Sequence, residues 1–401
     1  MPEIYSKALD QKLEIGRIID RIDGSKAGPC VVFFAGIHGN EPSGVFAVHQ
    51  VMRELREDST PVQGSVLGIS GNLWALQRGE RYHKMDLNRI WTQERMDRIQ
   101  QNSFEPSNED EKEQLEIFDI LQQLFQEQNG PFYFFDLHTT SGQTIPFIPV
   151  NDSLLNRKFA RQFPIPLILG IEEHLEGPIL SYLNELGYVS FGFEAGQHDE
   201  ISSIDNHRIF IYLSLVFSQV IEKQHVAFDE FMENWTRVFG KHRSFFEIRS
   251  RYEVATDETF VMEQGFSNFQ PIAAGTLLAK SNGEAIHAPF SGTMFMPLYQ
   301  AKGNDGYFLI GRIPRIFLWL SKVLRQFKLD RSLAYLPGVK KAQNAQGTFF
   351  LDLNIARILA KPVLHLLGYR SKRKDAHRLI IKSREFRSRK KEYQNTSWYA
   401  R

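Results

Sequence analysis

The sequence of residues 31–44, VVFFAGIHGNEPSG, indicates both the fold class and the position of a functional site. It begins with the continuous apolar run of residues 31–37, which ends in a Gly-containing turn. Such a run is typical of a strand buried on both faces of a parallel sheet. Apolar side chains at helical spacing follow over residues 43–54. The stretch therefore predicts a strand, a polar turn and a helix.

The same alternation continues to about residue 240. We predict further strands over residues 65–70, 132–137 and 189–193, and a helix near 111–128. Strands that alternate with helices favour an α/β fold. The expected architecture is a mixed, mainly parallel sheet flanked by helices.

The pattern changes near residue 242, where short alternating runs are broken by Gly, Pro and Asn. The predicted strands of this β-rich module are residues 245–251, 259–262, 276–279, 285–288 and 292–296. After residue 311 the chain becomes basic, and amphipathic helices are predicted over residues 316–328 and 353–367. We therefore expect three parts: an α/β domain over 1–242, a smaller β-rich domain over 243–313, and a basic, mainly helical tail over 314–401.

The net charge of +1 is a balance between two oppositely charged parts. Residues 315–401 contain 21 Lys and Arg against 5 Asp and Glu, a balance of +16, which leaves −15 for the rest. A basic amphipathic tail can make peripheral contact with an anionic membrane or fold as a cap on the acidic body. Both alternatives stay open, and we expect no nucleic-acid partner.

Composition excludes several protein classes. With 42% hydrophobic and 24% charged residues among 401, the chain is globular and not disordered. The single cysteine, Cys30, excludes an internal disulfide and a Cys-rich zinc site. We find neither an apolar run of the ~20 residues that a transmembrane span needs nor a signal peptide. A cytoplasmic location is expected, and a homo-oligomer is compatible with the sequence.

Polar residues follow three of the predicted strands. His38 and Glu41 lie three apart in the turn after the first strand, and His138 follows residues 132–137. The carboxyl ends of parallel strands meet at one sheet edge, and two His with one Glu are the ligand set of a catalytic zinc. Either motif alone is common in proteins without a metal. Two such turns in one chain favour a metal site.

A carboxylate and two arginines extend this constellation. Glu194 follows a mostly apolar run, where an unpartnered carboxylate is costly to bury. It could accept a proton from water, or instead form an ion pair or cap a helix. Arg81 and Arg89, with Asn88 beside the second, suit the binding of carboxylate oxygens. As a lone segment, they would form a charged surface loop.

Together these motifs resemble the succinylglutamate desuccinylase/aspartoacylase family, a branch of the zinc carboxypeptidase-like enzymes. The matching sequences are GIHGNEPSG from residue 36, Gly71-Asn72, Arg81-Tyr82, Leu87-Asn88-Arg89, DLHTTSG from residue 136 and GFEAG from residue 192. They occur in the family's order over about residues 30–200. The β-rich segment near 260–312 resembles the family's C-terminal β domain, which helps to form the wall of the pocket.

The resemblance implies a deacylase with one Zn²⁺ per chain that hydrolyses the amide bond of an N-acyl amino acid or a similar small carboxylate-bearing amide. The implied roles are metal binding by His38, Glu41 and His138, general acid/base catalysis by Glu194, carbonyl polarisation by Arg81, and substrate-carboxylate binding by Asn88 and Arg89. Two alternatives remain: a metallocarboxypeptidase acting on short peptides, and a non-catalytic, zinc-stabilised scaffold.

The sequence departs from the aspartoacylase branch at two points. Residues 179–187 contain no basic residue where that branch has a substrate-binding arginine. The β-domain tyrosine of that branch has only Tyr299 and Tyr307 as candidate counterparts. N-acetylaspartate and succinylglutamate are therefore not the expected substrates.

Overall fold

The computed structural model describes residues 1–300, 302–327, 335, 337–342, 347–352, 355, 361–373 and 378–400. The β-strands are β1 (Glu3–Ser6), β2 (Gln11–Glu14), β3 (Ile18–Asp23), β4 (Lys26–Ala35), β5 (Gln63–Ser70), β6 (Phe132–Thr140), β7 (Ile148–Val150), β8 (Leu167–Leu169), β9 (Val189–Gln197), β10 (Phe245–Glu253), β11 (Phe260–Met262), β12 (Pro271–Ile272), β13 (Leu277–Ser281), β14 (Glu284–His287), β15 (Gly292–Phe295), β16 (Asp305–Arg312), β17 (Val339–Lys341), β18 (Thr348–Asp352), β19 (Tyr369–Arg373) and β20 (Arg378–Ser383). The α-helices are α1 (Ser43–Glu57), α2 (Leu73–Arg78), α3 (Gln93–Gln100), α4 (Glu109–Glu127), α5 (Leu154–Ala160), α6 (Ile179–Glu185), α7 (Ile201–Phe217), α8 (Phe228–Phe239), α9 (Arg315–Gln326), α10 (Lys361–Leu366), α11 (Lys390–Tyr393) and α12 (Ser397–Ala400).

An eleven-stranded mixed sheet organises the molecule, in the order β12-β15-β16-β10-β8-β7-β9-β6-β4-β5-β3. Its centre consists of β5, β4, β6 and β9, which run parallel to one another. The predicted α/β class is confirmed, as are the four predicted strands and the helix near 111–128.

Both faces of the central strands are covered. Phe33 and Phe135 lie on the face that packs against α1 and α7. Phe34 and Phe134 lie on the opposite face, against α4 and α6. Alternate residues of a strand point to opposite faces, so a strand buried on both needs a continuous apolar sequence. That requirement explains the apolar run at residues 31–37.

The β-rich module continues the main sheet. Strand β10 pairs in parallel with β8 and antiparallel with β16, and β15 and β12 follow at the edge. A separate three-stranded sheet consists of β11, β13 and β14. All five predicted strands of the module are confirmed. The domain bounds 1–242, 243–313 and 314–401 stay a prediction, and the sheet runs across the first of them.

The tail contains more β structure than expected. After α9, strands β17, β18, β20 and β19 form a four-stranded antiparallel sheet. The prediction of a mainly helical tail was therefore incomplete, because basic side chains interrupt the apolar pattern of these strands. Residues 353, 354 and 356–360 of the predicted helix over 353–367 lie outside the described residues, and the described part contains α10.

The tail docks on the acidic body. Asp152 pairs with Arg325 at 2.8 Å and with Arg384 at 2.7 Å, and all three side chains are buried. Tyr393 and Trp398 enter the main core, where Trp398 Nε1 donates to the Tyr133 hydroxyl at 3.0 Å. These contacts support the alternative of a cap on the body. Within the described part of the chain, no helix combines the length and apolarity that crossing a bilayer requires.

Candidate active site

The candidate site lies at the carboxyl ends of the central strands. Strand β4 ends at Ala35, and Gly36 follows with a φ of +72°, which is the left-handed conformation that glycine adopts most readily. The chain turns there and places His38 and Glu41 before α1. His138 belongs to the end of β6, and Glu194 of β9 is its direct neighbour in the register. Adjacent strand ends thus bring the predicted residues together.

Three of these side chains could hold a metal ion. One ligand atom from each of His38, Glu41 and His138 lies within 4.8 Å of the others, and all three residues are buried. Glu41 lies between the two imidazoles: its Oε1 is 2.9 Å from His38 Nδ1, and its Oε2 is 3.1 Å from His138 Nδ1. Both Nδ1 atoms therefore face the same carboxylate.

The opposite nitrogen of each imidazole contacts another carboxylate. His138 Nε2 lies 2.7 Å from Asp136 Oδ2, and His38 Nε2 lies 3.1 Å from Asp86 Oδ1. A metal-binding histidine typically donates its second N–H to such a carboxylate, which fixes the ring and frees the other nitrogen as a ligand. The residues therefore fit a zinc site of two histidines and one carboxylate.

The electrostatics of the group favour a cation. Burial alone would raise the pKa of Glu41, but His38 and His138 hold it well below its usual range. Burial likewise opposes ionisation of Asp86, yet His38, Arg89 and other nearby positive charge hold its pKa well below the usual range. Glu41, which is buried, and Asp86, which is partly buried, thus stay ionised beside the histidines.

Glu194 differs from these carboxylates. Its side chain is buried, and Oε2 has no hydrogen-bond partner among the described residues. Burial raises the pKa of Glu194 to about 8, against the opposing effect of His138. A carboxyl group that exchanges its proton near neutral pH is suited to general acid/base chemistry.

The structure places Arg81, Asn88 and Arg89 at different distances from the ligand group. Arg81 Nη1 donates to Glu41 Oε1 at 3.1 Å. Asn88 Nδ2 donates to Asp136 Oδ2 at 3.0 Å, and its Oδ1 accepts from a backbone N–H at 3.0 Å. Arg89 pairs with Asp305 at 3.1 Å on the cavity wall. All three line one cavity of about 430 Å³ together with the ligand group and Glu194.

One wall of this cavity comes from the β-rich module, as expected. The segment between β15 and β16 contributes Met296, Pro297, Leu298, Gln300, Gly303 and Asn304. Neither candidate tyrosine lines the cavity. The Tyr299 hydroxyl donates to a backbone carbonyl at 2.8 Å, and Tyr307 stacks on Tyr252 with ring centroids 5.5 Å apart.

Sequence reasoning missed three residues of the site. Asp136 precedes His138 by two positions on a strand, so the two side chains share a face, and this spacing could have identified it. Asp86 is 48 positions from His38 and gave no local signal. Lys84 lines the cavity, and no carboxylate partner is found for it in the described part of the chain.

The comparisons with known proteins agree with this geometry. The family model described as "Succinylglutamate desuccinylase/Aspartoacylase catalytic domain" matches residues 27–213. A succinylglutamate desuccinylase of Serratia proteamaculans is 29% identical over 109 residues, which are 27% of this chain and only 31% of that relative. Another, from Pseudoalteromonas atlantica, is 24% identical over 67% of this chain and 76% of its own length.

Solved structures show the same fold. A succinylglutamate desuccinylase/aspartoacylase from Rhodobacter sphaeroides matches with a TM-score of 0.54 at 18% identity, covering 73% of this chain and 88% of that one. The succinylglutamate desuccinylase of Vibrio cholerae matches with a TM-score of 0.52 at 15% identity, covering 73% and 84%. Residues 27–213 thus match the catalytic domain of the succinylglutamate desuccinylase/aspartoacylase family, and the fold and the strand-end histidines and carboxylates of the chain agree with that match.

Proposed function

We propose that the protein is a zinc-dependent deacylase that hydrolyses the amide bond of an N-acyl amino acid or a similar small carboxylate-bearing amide. The observation that supports this most directly is a single cavity with two kinds of group. It contains a three-residue metal-ligand group and, beside it, the buried carboxyl of Glu194, one oxygen of which has no partner among the described residues. A purely structural metal would not need that second group.

The proposed metal ligands are His38, Glu41 and His138. A Zn²⁺ ion bound there supplies Lewis acidity, which polarises a carbonyl and lowers the pKa of bound water. Glu194 takes the proton from the attacking water and returns it to the departing nitrogen. General acid/base catalysis of this kind typically contributes about 10²–10⁴-fold in rate. Because the pKa of Glu194 is raised to about 8, this carboxyl group can both accept the proton from water and release it to the departing nitrogen.

The remaining residues bind and orient the substrate. Arg81 donates to the carbonyl oxygen as negative charge develops on it. Arg89 and Lys84 supply the positive charge that a substrate carboxylate needs on the cavity wall. For Asn88 we propose a positioning role that differs from the sequence-based prediction. Both ends of its amide are engaged inside the protein, where they hold Asp136 against His138.

The test combines metal analysis with a substrate panel. We expect about one zinc per chain and hydrolysis of N-acyl amino acids in preference to short peptides. Glu194→Gln should lower kcat by at least about 10²-fold while zinc content stays at one per chain. The exposed Glu230→Gln serves as the matched control, with unchanged activity.

Each alternative has its own outcome. Faster hydrolysis of short peptides would identify a metallocarboxypeptidase. Stoichiometric zinc without hydrolysis of any amide would identify a scaffold, and wild-type activity of Glu194→Gln would reject the proposed role.

We also propose a cytoplasmic location, which is supported by a chain whose single cysteine, Cys30, is buried and unpaired.

A further inference from the structure

Helix α9 presents an apolar stripe to solvent. Ile316 is 60% exposed, Trp319 is 59% exposed, and Phe327 directly after the helix is 74% exposed. The spacing of these residues, together with Leu320 and Val323, places them on one side of the helix. Contiguous exposed apolar surface on a protein usually marks an interaction site.

The orientation of the helix is fixed by its opposite face. Arg325 is fully buried there and pairs with Asp152 at 2.8 Å. Ser321 is also buried, and Leu318 packs against the main core. The helix therefore has polar residues inside and large apolar residues outside, the reverse of an ordinary surface helix. It cannot turn its apolar stripe inward without breaking the ion pair of Arg325.

Cations border the stripe on one side. Arg315 and Lys322 lie on the adjacent edge of α9, about two turns apart along the helix. Arg161 and Arg243 lie near them: burial lowers the pKa of Arg243, and so do the charges of Arg161 and Arg315. Within the described ranges none of these four cations forms an ion pair with a carboxylate.

We propose that this face of the molecule docks on an anionic phospholipid surface, with Ile316, Trp319 and Phe327 entering the headgroup region and the four cations facing lipid phosphates. An interfacial helix requires this composition, since apolar and aromatic residues lie beside Arg and Lys on one exposed surface. The inference does not depend on the proposed deacylase activity.

A bilayer fits the face better than a second copy of the chain does. An isologous contact would bring the same four cations of two molecules towards each other. A lipid surface instead provides negative charge for the cations and an apolar layer for the stripe. Self-association through this face is therefore an outcome that would overturn the proposal.

The experiment uses the full chain and sedimentation with vesicles. One set contains phosphatidylglycerol and phosphatidylcholine, and the other contains phosphatidylcholine alone. We expect binding to the anionic vesicles, little binding to the neutral ones, and loss of binding as salt is raised. Trp319 fluorescence should shift to the blue on binding, because Trp91, Trp235 and Trp398 are already buried and Trp74 is half-buried against His83. Binding that ignores lipid charge would reject the proposal.

Variants separate the two parts of the surface. Removing a cation with Lys322→Ala or Arg243→Ala should weaken binding about fivefold each. The pair Ile316→Ser with Trp319→Ser should abolish sedimentation with the anionic vesicles, and Val261→Ser, at a 56% exposed position in the β-rich module, should change nothing. Far-ultraviolet circular dichroism verifies folding. Two results would contradict a membrane surface: unchanged vesicle binding by the paired variant, or a dimer of the wild-type protein that the paired variant no longer forms.

Discussion

At the scale of single residues, the geometry of the site depends on carboxylates that are not themselves ligands. Asp136 and Asp86 each contact the outer nitrogen of a histidine whose inner nitrogen faces Glu41. Such partners fix the orientation of the ring and increase its basicity. Metal affinity should therefore depend on Asp136 even though it lies outside the ligand group.

Asp136→Asn tests this dependence. The amide cannot stabilise the His138 ring as a carboxylate does, so Zn²⁺ affinity should fall about 10–100-fold. Competition with a chromophoric chelator measures the affinity directly. The exposed Asp205→Asn provides the control, and an unchanged Kd in the Asp136 variant would show that the contact has no such role.

The residues of the site differ in how easily they can be predicted from the sequence. His38 and Glu41 share one turn, and His138 and Glu194 each end a strand, so local motifs were sufficient to find them. The engagement of Asn88 by Asp136 and by a distant backbone N–H depends on packing between separate segments. The family resemblance instead implied that the Asn88 side chain binds the substrate carboxylate.

At the scale of elements, strands with two buried faces were predictable and strands of the tail were not. Strand β4 is apolar at residues 30–35, which are buried because both faces of the sheet are covered there. A continuous apolar sequence of this kind is easy to recognise as a buried strand. Strand β19 contains Arg370, Lys372 and Arg373, and it depends on β20 for pairing. β-propensity and hydrophobic alternation predict such strands poorly, because the formation of these strands depends on tertiary contacts.

The ion pair of Arg325 with Asp152, which fixes the orientation of α9, leads to a prediction about stability. Arg325→Met removes a buried cation and leaves Asp152 with Arg157 and Arg384 as its partners, so the free energy of unfolding should fall by about 1.5–3 kcal/mol. Urea denaturation measures the change. Lys112→Met, which breaks the exposed pair with Glu109, should cost no more than about 1 kcal/mol. Equal losses in the two variants would contradict a stabilising role for the cluster.

At the scale of the whole molecule, the acidic body and the basic tail are joined by buried charge, which makes the joint sensitive to acid. Burial alone would raise the pKa of Asp152, but Arg157, Arg325 and Arg384 hold it well below its usual range. A lowered folded-state pKa contributes stability that is present above the unfolded pKa of about 3.9 and is lost as the pH falls below it.

The unfolding free energy should therefore decrease steeply from about pH 4 downward. Asp152→Asn should be less stable than the wild type at neutral pH but should lose less stability between about pH 5 and pH 3. Urea denaturation over that range, at constant salt, gives both slopes. Parallel pH dependences in the two proteins would mean that another carboxylate governs the acid response.

The position of Tyr393 and Trp398 in the main core also has a consequence for biosynthesis. Tyr393 bonds to the backbone of β6 and β9, and Trp398 bonds to Tyr133 of β6. The bonded residues of these strands leave the ribosome 204 to 265 residues before the aromatic side chains that cover them, roughly 10–50 s at ordinary elongation rates. During that interval the nascent sheet exposes an apolar surface, which makes it a natural client for a ribosome-associated chaperone.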